Sequence, residues 1–188
     1  MVTNGPAGRR AVFLDRDGVL VVPEFRDGRS FAPTTFEDFR IYDDAPQALA
    51  RLKEAGFLLV VVTNQPDVGH GLISLDTIDR MHRKLKEFLP VDRIELCTHT
   101  QREGCTCRKP MPGMLLNAAD ALAIDLSASI MVGDRASDVE AGRAAGCRTI
   151  FIDLDYANEP KPSADWIARS VSDAANIILT EDRERELR

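Results

Sequence analysis

The chain has 188 residues, 44% of them hydrophobic and 29% charged, with a formal net charge of −6 at pH 7. That balance suits one globular domain able to build its own core. The acidic charge disfavours a nucleic-acid surface, and no apolar run approaches the roughly 18–20 residues needed to cross a bilayer.

In chain order, residues 1–10 (MVTNGPAGRR) lack the apolar centre of a signal peptide and are expected to form a flexible tail on a cytoplasmic protein. Ala11–Leu14 reads as a short buried strand that ends at the polar turn Asp15-Arg16-Asp17-Gly18. Residues 21–43 show no period and read mainly as loop. Pro46–Ala55 has helical spacing, with Leu49 and Leu52 on one face and Gly56 as the stop. Phe57–Val62 (FLLVVV) reads as a strand covered on both faces, followed by a polar turn over TNQPD. Ser74 is expected to cap a helix over 75–88 whose apolar positions are Leu75, Ile78, Leu85 and Phe88. Further strands are expected at Arg93–Cys97, Ile130–Val132 and Thr149–Ile152, and helices at Met114–Ala123 and Ala136–Ala145. Residues 163–179 read as helical turns with a last short strand, and 181–188 as a charged surface tail. Strands that alternate with helices predict a Rossmann-like, three-layer α/β/α domain over 11–180 with a mainly parallel sheet.

The chemistry collects after strands. Asp15-Arg16-Asp17-Gly18, Thr63-Asn64-Gln65 and Gly133-Asp134-Arg135 each follow one, and Arg108-Lys109-Pro110 forms a fourth polar cluster. In open α/β sheets ligands bind beyond the carboxyl ends of the strands, so these clusters should converge. Carboxylates, a hydroxyl, an amide and fixed positive charges suit phosphoryl transfer, in which positioning and charge neutralisation dominate. Carboxylates alone would repel a phosphate. A hard divalent cation such as Mg²⁺ is therefore expected among them. An Asp can be the nucleophile, and a second acid two residues on can protonate the leaving oxygen. Each cluster alone has a blander reading: Asp-x-Asp as a solvated turn, Thr63-Asn64 as turn chemistry, Asp134 as a helix cap. Their conjunction favours the site.

Three of the four cysteines lie in the pattern Cys97-x-His99-x5-Cys105-x-Cys107. Three thiolates and one imidazole complete a tetrahedral zinc and leave no position open for water, so this site should be structural, stapling the loop 97–107 just ahead of Arg108 and Lys109. Cys147 reads as a small buried hydrophobe. His70 and His82 read as surface residues, with His70 a weak candidate for substrate contact.

The four polar clusters, read together as Asp15-Arg16-Asp17-Gly18, Thr63-Asn64-Gln65, Arg108-Lys109-Pro110 and Gly133-Asp134-Arg135-Ala136-Ser137-Asp138, resemble the motifs of the haloacid dehalogenase superfamily. The subgroup resembled is the capless, zinc-containing one that includes D-glycero-D-manno-heptose 1,7-bisphosphate phosphatases and histidinol-phosphate phosphatases. The resemblance implies Asp15 as nucleophile and Mg²⁺ ligand. It implies Asp17 as general acid/base whose backbone carbonyl also meets the metal. Thr63 and Asn64 would hold the phosphate and Arg108 would contact substrate. Lys109 would neutralise the phosphate and orient the nucleophile. Asp134 would be the acidic Mg²⁺ ligand, and Asp138 a further candidate. Val19 departs from the threonine frequent at that position.

Only 45 residues separate Asp17 from Thr63 and 42 separate Gln65 from Arg108, so neither gap has room for a cap domain. The site should be roofed by loops near 21–35, 66–73 and 98–107, open to a small phosphate ester. The expected activity is Mg²⁺-dependent hydrolysis of a sugar phosphate such as heptose 1,7-bisphosphate by a monomer or small homo-oligomer. The short zinc loop resembles the histidinol-phosphate enzymes, whereas Arg108–Leu116 resembles the heptose enzymes. A polynucleotide-end phosphatase is disfavoured by the acidic charge, and a non-catalytic zinc module by the intact acidic set.

Overall fold

A computed structural model describes residues 8–26, 29–156 and 161–187. Residues 1–7 of the expected tail, 27–28 of the first roofing loop and Arg188 lie outside the described residues. Six strands form one parallel sheet: β1 (Ala11–Leu14), β4 (Leu58–Asn64), β5 (Arg93–Cys97), β6 (Ile130–Gly133), β7 (Arg148–Ile152) and β8 (Trp166–Ala168). Their order is β5-β4-β1-β6-β7-β8, with every neighbour parallel. β1 is central, and the chain winds outward from it in both directions. The β1/β6 boundary is the point at which a doubly wound sheet opens its ligand crevice.

Strand residues alternate between two cores. Val12, Leu14, Leu59, Val61, Ile130 and Val132 face α1 (Ala45–Glu54), α3 (Leu75–Phe88) and α6 (Val171–Glu186). Ala11, Phe13, Leu58, Val60, Val62 and Met131 face α4 (Gly113–Leu122) and α5 (Ala136–Ala145). Helices on both faces of one sheet give the expected three layers, and the described residues include no separate cap domain. Ser74 caps α3 as expected, its hydroxyl accepting from the Thr77 N–H at 3.1 Å. Gly146 closes α5 with φ of 87°, a left-handed conformation that glycine adopts without strain.

Several expectations shift. Within the stretch read as loop, β2 (Glu24–Arg26) and β3 (Arg29–Phe31) form an antiparallel hairpin. Two three-residue strands carry too little pattern to be read, and Phe25 and Phe31 are both exposed. A short helix, α2 (Pro66–Gly69), replaces part of the expected turn. Leu75 and Phe88 are exposed, so Ile78, Met81 and Leu85 alone carry the buried face of α3. The residues read as a charged tail continue α6 to Glu186, with Asp182 paired to Arg10 and Glu181 3.7 Å from Arg148. At the other end Arg9 bridges to Ile124, so the packed chain reaches back beyond Ala11. Cys147 is buried, as expected.

His82 is not a surface residue. It is half-buried on α3, with Nε2 3.4 Å from Nη1 of Arg16. Arg16 is fully buried, lies 5.5 Å from the Phe39 ring, and ion-pairs with Asp17 at 2.9 Å. Burial, and then the charges of Arg16 and Lys86, push the His82 pKa down to about 4. The folded state therefore holds His82 neutral, while the unfolded chain takes up its proton near pH 6.5. This group costs no stability above that pH, and it removes stability as pH falls from about 6.5 to about 4. His82→Gln should flatten that component. In urea unfolding, the variant should gain relative to the parent between pH 7 and pH 5; equal pH slopes would contradict the assignment.

Candidate active site

Asp15 immediately follows β1, and its N–H donates to the Val132 carbonyl of β6 at 2.9 Å. The chain then turns at Gly18, whose φ is 92°. A side chain there is excluded twice over, since a Cβ would also lie 2.1 Å from Oδ2 of Asp134. β4 runs two residues beyond the expected strand, so Thr63 and Asn64 are its last residues and lie at its carboxyl end. The Asn64 side chain then fixes a distant segment. Its Nδ2 donates to the Lys109 carbonyl and its Oδ1 accepts from the Lys109 N–H, both at 3.1 Å. Lys109 is thereby suspended across the end of the sheet.

The Lys109 ammonium reaches three acceptors: Oδ1 of Asp15 at 2.6 Å, Oδ1 of Asp138 at 2.7 Å and the Val62 carbonyl at 2.8 Å. Asp138 sits in the first turn of α5, where its Oδ2 accepts from the Arg135 N–H at 3.0 Å. Gly133 makes that approach feasible, because a Cβ there would stand 2.1 Å from the Asp138 Cβ. Asp134 follows β6; its Oδ2 accepts from the Tyr156 hydroxyl at 2.6 Å, and its buried Oδ1 has no hydrogen-bond partner among the described residues. Oxygens of Asp15, Asp134 and Asp138 lie within 4.8 Å of one another. Asp17 is clamped from two sides: Arg16 Nε reaches both of its oxygens, and Gln65 Nε2 donates to its Oδ2 at 2.7 Å while also bonding Thr63 Oγ1 at 2.9 Å.

Burial sets the electrostatics. It lifts Asp17 above the usual carboxylate range, against the pull of Arg16 and with help from Asp15. It lifts Asp134 well above that range, reinforced by the charges of Asp15 and Asp138. Asp138 is raised to about 6 by burial and Asp15, although Lys109 opposes the rise. Lys109 shows the reverse balance: burial disfavours its charge, but Asp138 and Asp15 outweigh burial and hold its pKa above the ordinary value. Such crowding of buried acids, together with an unpartnered Asp134 oxygen, fits a hard cation bound by oxygen.

The second cluster lies beside the first. Sulfurs of Cys97, Cys105 and Cys107 are 3.1–3.7 Å apart, and His99 Nδ1 is 3.6 Å from Cys97 and 3.3 Å from Cys107. Ligands of a tetrahedral zinc, with Zn–S of about 2.3 Å, must stand roughly 3.5–3.8 Å apart. The four side chains gather close to that spacing, with Cys107 up to about 0.4 Å nearer its partners, and their donor set is one that zinc takes. Burial and the neighbouring thiols raise Cys97 to about 12; at Cys105, hydrogen bonds from the Arg108 backbone and its fellow thiols outweigh burial and lower it to about 7. The Arg108 guanidinium lies 3.4 Å from the His99 carbonyl, so this loop and the Arg108-Lys109 segment are directly joined.

A cleft of about 880 Å³ opens over Asp15, Asp17, Asn64, Lys109 and Asp138. Its walls come from the β2–β3 hairpin, α2 and the Cys/His loop, with Arg108, Arg135 and Met111 among the lining side chains. Every expected roofing segment contributes. Thr63 lies just beneath, bonded through Gln65. Three participants went unassigned from sequence. Gln65 was adjacent to a recognised pair and could have been suspected. Arg135 stood in the Gly133-Asp134-Arg135 cluster, but nothing in the sequence shows that it donates to the Ser30 carbonyl and hydroxyl at 2.8 and 2.7 Å. Tyr156 lies in a loop without any motif.

Comparison with known proteins agrees with this geometry. Residues 106–174 match the family model described as HAD-hydrolase-like. The D-glycero-beta-D-manno-heptose-1,7-bisphosphate 7-phosphatase of Pseudomonas aeruginosa is 36% identical over 180 residues, covering 91% of this chain and 98% of that protein. The enzyme of the same name from Escherichia coli K12 is 33% identical over 188 residues, covering 92% and 95%. Among solved structures, the D,D-heptose 1,7-bisphosphate phosphatase of B. bronchiseptica, complexed with magnesium and phosphate, superposes with a TM-score of 0.75 at 29% identity, covering 92% of this chain and 99% of that one. The chain belongs to the haloacid dehalogenase-like phosphatases.

Lys109 is the charge that makes this acidic pocket tolerable, so Lys109→Met should lower the unfolding free energy of the metal-free protein by about 3 kcal/mol at neutral pH. Chemical denaturation in the presence of a chelator measures it. Unchanged or increased stability would show that the buried acids need no compensation.

Proposed function

We propose that this chain is a magnesium-dependent phosphatase that hydrolyses a small sugar phosphate, of which D-glycero-D-manno-heptose 1,7-bisphosphate is the best candidate, through an aspartyl-phosphate on Asp15. The observation that carries the reading is the buried Asp15–Lys109–Asp138 network lining the cleft. The heptose assignment draws on the names of the relatives and on the two guanidinium groups, Arg108 and Arg135, that line the same cleft. A bisphosphate carries a second anionic end for such groups to meet.

In this reading Asp15 is the nucleophile. Its carboxylate oxygen forms a bond to phosphorus as the ester P–O bond breaks, and the proton of Asp17 passes to the leaving oxygen. Burial raises the Asp17 pKa against the opposing pull of Arg16 and Gln65, the direction this step needs. The resulting Asp17 carboxylate then takes a proton from water, the water oxygen attacks phosphorus, and Asp15 is regenerated as inorganic phosphate leaves. Lys109 neutralises the phosphoryl oxygens and keeps Asp15 in line, while Thr63 and Asn64 stand at the same strand end, where the Asn64 side chain pins the Lys109 backbone. Mg²⁺, held by Asp15, Asp134 and the Asp17 carbonyl, would supply the remaining positive charge. Both oxygens of Asp138 are engaged, by Lys109 and the Arg135 N–H, so its part is to orient Lys109. Arg108 contacts the substrate beyond the reacting phosphate.

Zinc on Cys97, His99, Cys105 and Cys107 is the structural staple of the reading. It fixes the loop from which Arg108 and Lys109 emerge, and thiolate ligation suits the reducing cytoplasm.

Asp15→Asn should abolish phosphate release, by at least about a thousandfold, with the fold retained by circular dichroism. Substantial residual turnover would remove Asp15 as nucleophile. A panel of heptose bisphosphate, histidinol phosphate and 3′-phosphorylated DNA tests the substrate class, and turnover confined to histidinol phosphate would reassign it. Stripping zinc should raise proteolytic cleavage within 97–109 and lower the melting temperature; metal analysis that finds no zinc in protein purified without chelator would refute the staple.

A further inference from the structure

We propose that Tyr156 is a positioning residue for Asp134: its hydroxyl anchors one carboxylate oxygen so that the other faces the cation. This rests on the reading of Asp134 as a Mg²⁺ ligand and adds a residue that no motif contains.

Tyr156 lies in the loop that leaves β7 at the carboxyl edge of the sheet. Its hydroxyl donates to Asp134 Oδ2 at 2.6 Å. Asp134 is only 1% exposed, and its Oδ1 is buried without a hydrogen-bond partner among the described residues. An unsatisfied buried carboxylate oxygen is costly unless something absent from the protein completes it. The acids around it, Asp15 and Asp138, make a cation the fitting completion.

The terminal torsion of an aspartate is broad and roughly two-fold, so sequence position alone does not fix where its oxygens point. Anchoring Oδ2 removes that freedom and determines the direction of Oδ1. Two further features hold the tyrosine in place for this task. Its ring packs at a tilt against Phe25 of the hairpin, with centroids 5.8 Å apart. The space the hydroxyl and carboxylate share is kept open by Gly18, where a Cβ would stand 2.1 Å from Asp134 Oδ2 and 3.0 Å from the Tyr156 oxygen. Partners that orient a metal-binding side chain typically change metal affinity by about 10–100-fold when lost.

The test is Tyr156→Phe, which keeps the ring and its contact with Phe25 and removes only the hydroxyl. Mg²⁺ is titrated calorimetrically into the magnesium-free, zinc-loaded full-length chain, and kcat is measured separately at saturating Mg²⁺. The expected result is a Mg²⁺ dissociation constant raised about tenfold or more, with kcat at saturation close to the parent. A dissociation constant within twofold of the parent overturns the inference. Asp134→Asn separates the two levels of the argument. If the parent binds Mg²⁺, Asp134→Asn does not, and Tyr156→Phe binds like the parent, the positioning role alone fails. If the parent binds no Mg²⁺, the phosphatase reading fails and this inference fails with it.

Discussion

The ammonium of Lys109, buried between Asp15 and Asp138, is the interaction on which the rest of the site depends. Three carboxylates at one strand edge would otherwise repel one another in a medium that screens poorly. Its position is fixed from several sides: Asn64 pins the backbone of Lys109, Val62 accepts from the ammonium, and Asp138 is itself oriented by the first turn of α5. The partners come from three places: the residue after β1, the end of β4 and the first turn of α5. The doubly wound sheet is what brings those elements to one edge, and the hydrophobic cores on its two faces hold them there.

Around this centre the chain separates two tasks. The sheet edge carries the groups able to perform phosphoryl transfer, while three inserts build the walls of the cleft: the β2–β3 hairpin, α2 and the Cys/His loop. Side-chain contacts among the described residues tie the two. Arg135 holds the hairpin through Ser30, Tyr156 links the hairpin ring of Phe25 to Asp134, and Arg108 meets His99. Walls attached in this way can vary while the sheet edge stays constant, which is how one scaffold serves many phosphate esters.

The sheet and its helices were legible in the sequence because burial on both faces leaves unbroken apolar runs, as in FLLVVV, and because Ser74, Gly56 and Gly146 mark helix ends through local chemistry. The polar clusters were legible because each directly follows a strand. The hairpin was hidden: its strands are three residues long, and its phenylalanines face outward. His82 and Tyr156 were hidden for another reason. Each matters through one contact with a residue far away in sequence, Arg16 or Asp134, and a single chain records no such pairing. Asp138 stood in a recognised motif, yet its engagement of both Lys109 and the Arg135 N–H appears only in three dimensions.

Two displacements at phosphorus, first by Asp15 and then by water, are the centre of this account. They leave a stereochemical record. Hydrolysis of a sugar phosphorothioate made chiral at phosphorus with sulfur and two oxygen isotopes, run in water enriched in the third isotope, releases a chiral inorganic thiophosphate whose configuration reads that record directly. Net retention is the predicted result, since two inversions cancel. Net inversion would mean that water attacks the ester in one step, and it would contradict a covalent role for Asp15.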